Sequence, residues 1–428
     1  MTLAVTAGPA AARRTLFGHP PGLTVLFLTQ MWAEFSYFGL QALLVYYMTQ
    51  HLGIAQANAS LIYGAYGAAA FFSPFFGGII ADRWLGRTRS VVLGGLLMMA
   101  GHFAMAFEGL LFPALALVAI GNGLFIPPLA VQVGSLYADD DPRKAGAFSA
   151  YYMGINLGGL LAPLVCGTLG ETLGWHWGFA AAGVGMAVGL GVYLGFARLL
   201  PADTANKQPV VAGDRPAGER GAIRLLVALV CVVILFRIAY EQSGNVIALW
   251  VKDETDRSVT LFGTTRLIPA TWFQAINPLI IIVATPFLVR LWARRARPEG
   301  TAHLLRRMSI GCVLAGTAML VMTVAATVNA TTGQPVGVGW VLGYFALLTL
   351  GEMLVIPVGL TLVATLAPAR FAAMAMGAWY IAKFVGSLAA GVMGAWWTIV
   401  PHTAFFAAGG VSVFAAAALL RLLARRGT

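Results

Sequence analysis

The sequence predicts an all-α protein that spans a membrane twelve times, in two sets of six helices. Three observations predict it. Hydrophobic residues make up 59% of the 428-residue chain and charged residues only 10%, against roughly 25% charged in a soluble domain. Apolar runs long enough to cross a hydrocarbon core of about 30 Å recur twelve times. The one long polar stretch, PADTANKQPVVAGDRPAGERGA at 201–222, falls between the sixth and seventh runs and reads as a cytoplasmic linker. It divides the chain into an N-terminal unit, 1–200, and a C-terminal unit, 223–428.

The first run, 22–49, carries Gln30, Glu34, Tyr37 and Gln41 at offsets 0, 4, 7 and 11, which is one face of a helix. The second, 58–81, and third, 89–108, flank a short charged turn. His102 in the third suits a neutral ring donating one hydrogen bond better than a proton carrier. Runs at 110–137, 146–169 and 175–200 complete the first set. Pro127 with Pro128, and Pro163, are expected to kink or break helices there, and the glycines of GINLGG and GVGMAVGLG fit close helix packing.

In the second set, 223–251 places Arg237, Glu241 and Asn245 at offsets 0, 4 and 8. The run 270–293 holds Asn277 and Pro278, 304–328 is apolar, and 337–364 holds Glu352 and Pro357. The run 371–396 places Trp379, Lys383 and Ser387 at offsets 0, 4 and 8, and 402–421 is the last. These polar stripes are expected to face inward. Ionisable groups at such depths cost about 2.5–3.5 kcal/mol or more unless paired, hydrated or neutralised, so Glu34, Arg237, Glu241, Glu352 and Lys383 mark a substrate or proton pathway.

The net charge of +11 would suggest nucleic acid in a soluble protein, but its distribution says otherwise. With both termini placed in the cytoplasm, 22 of the 27 Lys and Arg fall in cytoplasmic segments. Lys252, Arg257 and Arg266 fall outside, and Arg237 and Lys383 within helices. That is the positive-inside pattern of a multi-pass protein of the cell membrane, so the basic clusters orient the chain in the lipid bilayer. Glu108 and the charges between Lys252 and Arg257 read as solvated loop groups. The three cysteines, Cys166, Cys231 and Cys312, sit singly in apolar runs with no metal or disulfide spacing. No nucleophile elbow, metal-ligand cluster or phosphate loop is visible, so neither an enzyme nor a cofactor is expected.

The turn GGIIADRWLGRTRS at 77–90, with Asp82, Arg83, Gly86 and Arg87, resembles the signature of the major facilitator superfamily. The acid can pair or cap near a helix end while the arginines hold neighbouring carbonyls, locking one face of a bundle. Positive-inside anchoring explains the same arginines without a gate. Further segments narrow the family: FSYFGLQALLVYY at 35–47, YYMGINLGGLLAPLVCGTLGETLGWHWGFAAAGVGM at 151–186, YEQSGN at 240–245, IPATWFQAINPL at 268–279, and GEMLVIPVGLTLVATLAPARF with MGAWYIA within 351–382. Together they are similar to the proton-dependent oligopeptide transporters, across both halves.

That resemblance implies two six-helix bundles, alternating access, and uptake of di- and tripeptides with protons by a monomer. It implies a cavity at Tyr37, Asn156, Asn277, Glu241, Glu352 and Trp379. The first helix departs from the family pattern: Gln30 and Ala33 stand where acids are usual, and Glu34 where an arginine is. Gln41 and Ile126 replace bases, and Phe71 replaces a tyrosine, while Arg237 and Lys383 are cations the family does not normally have. On this basis Tyr37, Gln41, Asn156, Asn277, Glu352, Trp379 and Lys383 are assigned to substrate binding, and Glu34, Arg237 and Glu241 to proton coupling and gating. Asp82, Arg83 and Arg87 form a cytoplasmic gate loop, and Lys383 is expected to pair with Glu352. Apart from the resemblance, Gln30, Tyr37, Asn156 and Asn277 serve equally as helix-to-helix hydrogen bonds and Trp379 as packing. A facilitator or carrier for another small zwitterion or drug-like compound, and a nutrient sensor without sustained flux, remain as alternative functions.

Overall fold

The computed structural model describes residues 18–138, 140–201, 219–261, 263–293, 300–366 and 372–425. Residues 202–218 of the expected linker lie outside them. Twelve long helices follow in order: α1 (Pro21–Tyr46), α2 (Gln56–Ile80), α3 (Arg87–Ala104), α4 (Leu111–Ser135), α5 (Lys144–Ala162), α6 (Trp175–Gly195), α7 (Glu219–Tyr240), α8 (Ile276–Ala293), α9 (Thr301–Thr332), α10 (Val338–Leu366), α11 (Ala372–Ala395) and α12 (His402–Arg425). Ten described helical stretches are long and apolar enough to span a membrane by composition alone. The two others are α1, diluted by its polar stripe, and α3, whose first turn carries Arg87 and Arg89.

Packing repeats with a period of six helices. α1 packs on α5 and α6, α3 on α4 and α6, and α2 on α4; correspondingly α7 packs on α11 and α12, α9 on α10 and α12, and α8 on α10. Between the sets, α2 lies against α11 and α5 against α8, which are equivalent pairs under the same repeat. This is the arrangement of two six-helix bundles related by a pseudo-two-fold axis. Where α2 crosses α11, Gly64 and Gly391 let the backbones touch: a Cβ on Gly64 would lie 2.6 Å from the Gly391 Cα. Any side chain there would wedge the bundles apart.

The helices are interrupted where function is expected. α7 stops after Tyr240, passes through a tight turn at Glu241–Gly244, and resumes as Val246–Asp253. Gly244 and Asn245, two poor helix formers, supply the break, and Asn245 sits at φ −112°, ψ −95°. At Pro163 the chain widens into a π-turn, Pro163–Gly167, before a last short helix, Thr168–Leu173. Elsewhere prolines do not break the helix: Pro127, Pro128 and Pro357 lie within helices that continue past them. In a bundle, neighbouring helices and threonine or serine hydroxyls can satisfy the carbonyls that proline frees.

The polar segment after α7 is also more ordered than solvated charges would be. Strand β1 (Thr255–Asp256) pairs in parallel with β4 (Val336–Gly337), and β2 (Ser258–Leu261) pairs antiparallel with β3 (Thr264–Leu267). Glu254 accepts a hydrogen bond from Asn329 at 2.9 Å, Arg257 donates to the Ile268 carbonyl at 2.5 Å, and Lys252 reaches Gln50. These charges fasten one end of the molecule. Glu108, exposed, pairs with His51 at 2.8 Å.

Candidate functional site

The two bundles are bolted together at the end of the helices away from both termini. Tyr46 donates to the Ala248 carbonyl at 2.7 Å, Ser60 to the Asn245 side chain at 2.9 Å, and Trp272 to Thr168 at 2.7 Å. The Gln274 side-chain amide donates to the Ala42 carbonyl at 3.3 Å, and that of Gln56 to the Gly394 carbonyl at 3.1 Å. The break in α7 is what frees Asn245 to reach Ser60. These hydrogen bonds join the bundles at this end. Nearer the termini a cavity of about 100 Å³ opens between α5, α8 and α10, lined by Tyr152, Ile281, Thr285, Glu352 and Ile356 among others. The space between the bundles is therefore bridged by hydrogen bonds at the end away from the termini, with this cavity nearer the other end.

Ionisable groups from both bundles converge on that space. Arg237 and Glu241, both buried, form an ion pair one turn apart, and Ser387 on α11 donates to the same carboxylate at 3.2 Å. The Arg237 guanidinium lies 4.5 Å from the centre of the Phe71 ring on α2 and 5.2 Å from that of Tyr240. The Lys383 ammonium stands over the same Phe71 ring at 4.7 Å. On α10, Glu352 accepts a hydrogen bond from Asn277 at 2.8 Å, and Asn277 also donates to Thr349 at 3.0 Å. On α1, Gln30 donates to Glu34 at 2.7 Å while accepting from Tyr151 on α5 at 2.7 Å. A carboxylate from the first bundle thus shares the space with two carboxylates and two cations from the second.

A family model described as the Major Facilitator Superfamily matches residues 26–382. A di-/tripeptide transporter of Lactococcus lactis subsp. cremoris is 32% identical over 86% of this chain and 88% of its own. Peptide transporter YePEPT of Yersinia enterocolitica subsp. palearctica serotype O:3 is 33% identical over 89% and 88%. The crystal structure of a POT family transporter in complex with 5-aminolevulinic acid superposes with a TM-score of 0.87, at 26% identity over 97% of this chain and 98% of that one. A peptide transporter POT in complex with sulfate gives a TM-score of 0.88 at 29% identity over 97% and 96%. The chain belongs to the major facilitator superfamily, in its POT family. The repeated packing of α1–α6 and α7–α12 is the facilitator fold.

Within this POT family member the residues singled out from sequence do not all share one environment. Glu34, Tyr37, Arg237, Glu241, Asn277, Glu352 and Lys383 come from α1, α7, α8, α10 and α11 and border the central space. Gln41 lies farther along α1, where it donates to the Tyr63 hydroxyl at 2.9 Å. Asn156 is spent on its own helix, donating to the Tyr152 carbonyl at 3.0 Å. Trp379 is buried in the second bundle, its ring against Gly359 of α10. The turn after α2 holds Asp82 and Arg83 exposed, and Gly86, with φ of 75°, reverses the chain so that Arg87 donates to Ser135 of α4 at 3.2 Å. Lys383 and Glu352 make no direct ion pair in this conformation: Glu352 accepts from Asn277, and the Lys383 ammonium lies over the Phe71 ring.

The sequence reading passed over an aromatic lining. Tyr63 and Tyr66 on α2, Tyr151 and Tyr152 on α5, and Tyr240 beside Glu352 all surround the charged groups. Tyr37 stacks on Tyr66 with ring centres 6.1 Å apart. A signal was present: Ser60, Tyr63, Gly67 and Phe71 recur at offsets 0, 3, 7 and 11 along α2, one helical face.

Proposed function

We propose that this protein is a secondary active transporter that takes up di- and tripeptides by proton symport through alternating access. The observation that carries the reading is the buried Arg237–Glu241 ion pair at the break in α7, beside the hydrogen bonds that hold one end of the two bundles shut. A protonated Glu241 would release its hold on Arg237 and change the charge at that break, which links proton occupancy to the gate. Glu352, held by Asn277 beside the cavity, is the acid for a substrate amino group. Both termini face the cytoplasm of the cell membrane in this reading, so the bolted end is extracellular and the cavity faces inward. The transporter works as a monomer of two units, 1–200 and 223–428, joined by the linker, with the Asp82, Arg83 and Arg87 turn on the cytoplasmic side. The names of its relatives, di-/tripeptide transporter and peptide transporter, support the substrate class.

One observation favours a second reading, a carrier for another small zwitterion with altered coupling: the charged group on the α1 stripe is the acid Glu34, where the family usually has a base. A single assay separates the two. Purified protein in proteoliposomes should accumulate a labelled dipeptide only with an inward proton gradient. Uptake that ignores the gradient would favour the facilitator, and binding without uptake would favour a sensor.

A further inference from the structure

Lys383 is, among the described residues, the cavity cation without an acid in direct contact. Its ammonium lies over the rings of Phe71 and Tyr380, at 4.7 Å and 5.8 Å from their centres. An aromatic face offsets only part of the cost of holding a charge away from bulk water. The other cavity cation, Arg237, shares the Phe71 ring but is committed to Glu241. The neighbouring carboxylates are engaged as well, Glu352 by Asn277 and Glu34 by Gln30.

The charge is also unevenly divided between the bundles. On the first bundle the α1 stripe offers Gln30, Glu34, Tyr37 and Gln41: one acid and no base. Both bases belong to the second bundle. A substrate with a free carboxylate needs a cationic partner when it leaves water, because an unpaired carboxylate in such a space is too costly.

Resting on the peptide reading above, we propose that Lys383 is the anchor for the substrate's carboxylate, so that α11 of the second bundle holds the anionic end of the zwitterion. The ligand then completes the ion pair that Lys383 lacks, and the Phe71 ring sets the ammonium's position before the ligand arrives. Glu352 and Glu34 are left for the amino end. The selected ligands are short amphoteric molecules with a free carboxylate, and neutral C-terminal amides are discriminated against.

The test is equilibrium binding to purified full-length protein of a labelled dipeptide and of the same dipeptide as its C-terminal amide. Wild type should prefer the free acid. Lys383→Gln should lose roughly 10- to 100-fold in affinity for the free acid and bind the amide as wild type does, which also shows that the variant is folded; Lys383→Arg should keep the preference. A Lys383→Gln protein that still prefers the free acid, or that weakens on both ligands equally, overturns the assignment. If wild type binds neither ligand, the peptide reading itself has failed, and the same comparison with an ω-amino acid and its amide decides Lys383 alone.

Discussion

Glu171 and Thr271 tie the two bundles to each other: one carboxylate oxygen accepts both the Thr271 backbone N–H at 2.8 Å and its hydroxyl at 2.7 Å. The other oxygen accepts the Ala270 N–H at 3.0 Å. A carboxylate at the first N–H groups of the turn leading into α8 is well placed against the positive end of that element. All three bonds must break for this end to open. Glu171→Ala should therefore shift the equilibrium toward the opened state by about 1.5–3 kcal/mol, the range for hydrogen bonds to a charged group. Spin labels at the exposed positions Leu173 and Leu267, one on each bundle, would report it as a longer distance population. An unchanged distribution would show that Glu171 does not hold the gate.

The Arg237–Glu241 pair leads to a coupled outcome. Removing one member leaves a buried charge uncompensated, which costs about 3–5 kcal/mol, whereas removing both together costs far less. Glu241→Gln should lose gradient-driven accumulation while keeping exchange of substrate at equal pH. Arg237→Met and Glu241→Met should each lower thermal stability, and their combination should be strongly non-additive. Full gradient-driven accumulation by Glu241→Gln would remove Glu241 from proton coupling.

The turn between α4 and α5 provides a control for pH work. Arg143 donates to the Asp141 carboxylate at 2.7 Å and again through its Nε at 3.0 Å, and these bonds pull the Asp141 carboxyl down from its ordinary 3.8 to about 2. A lowered folded value contributes stability that is present above the ordinary value and is lost as pH falls through the folded one. Between about pH 5 and 7 the group stays ionised, and its contribution is constant. Asp141→Asn should leave the shape of the pH–uptake profile unchanged. A displaced profile would implicate this turn in transport.

The architecture was legible in the sequence because lipid allows so few solutions: twelve apolar runs and one polar interruption imply helices in two sets. The stripe Gln30, Glu34, Tyr37, Gln41 was legible for the same reason, since a polar group on a spanning helix must face protein. What could not be read was which polar neighbour each group would choose. Asn156 looks like a cavity residue in sequence, yet its side chain closes on the Tyr152 carbonyl within its own helix. Lys383 and Glu352 have opposite charges and lie on adjacent helices, yet Glu352 accepts from an asparagine and Lys383 lies over a phenylalanine ring, choices that depend on angstrom-scale placement. The Glu171 contact was equally hidden. It joins residues about 100 positions apart in the chain, and nothing in either local sequence marks the other.

Glu34 is the group whose role the geometry constrains most sharply. It carries the negative charge of the α1 stripe, and its described hydrogen bond comes from a neutral amide, Gln30, itself held by the Tyr151 hydroxyl. An amide donor with its oxygen already accepting from tyrosine cannot rotate to offer that oxygen without losing the bond, so the Gln30 N–H stays turned toward the Glu34 carboxyl. A proton arriving at Glu34 would weaken the bond it accepts from Gln30, and the Gln30–Tyr151 link would transmit the change to α5, which borders the second bundle at α8. Glu34→Gln should therefore flatten the pH dependence of dipeptide uptake, leaving the rate at every pH close to that of the protonated wild type. Tyr151→Phe, which frees Gln30 to turn, should shift the midpoint of the profile without flattening it. Proteoliposome uptake measured across the pH range checks both, and an unchanged profile in Glu34→Gln would reduce the residue to a static helix contact.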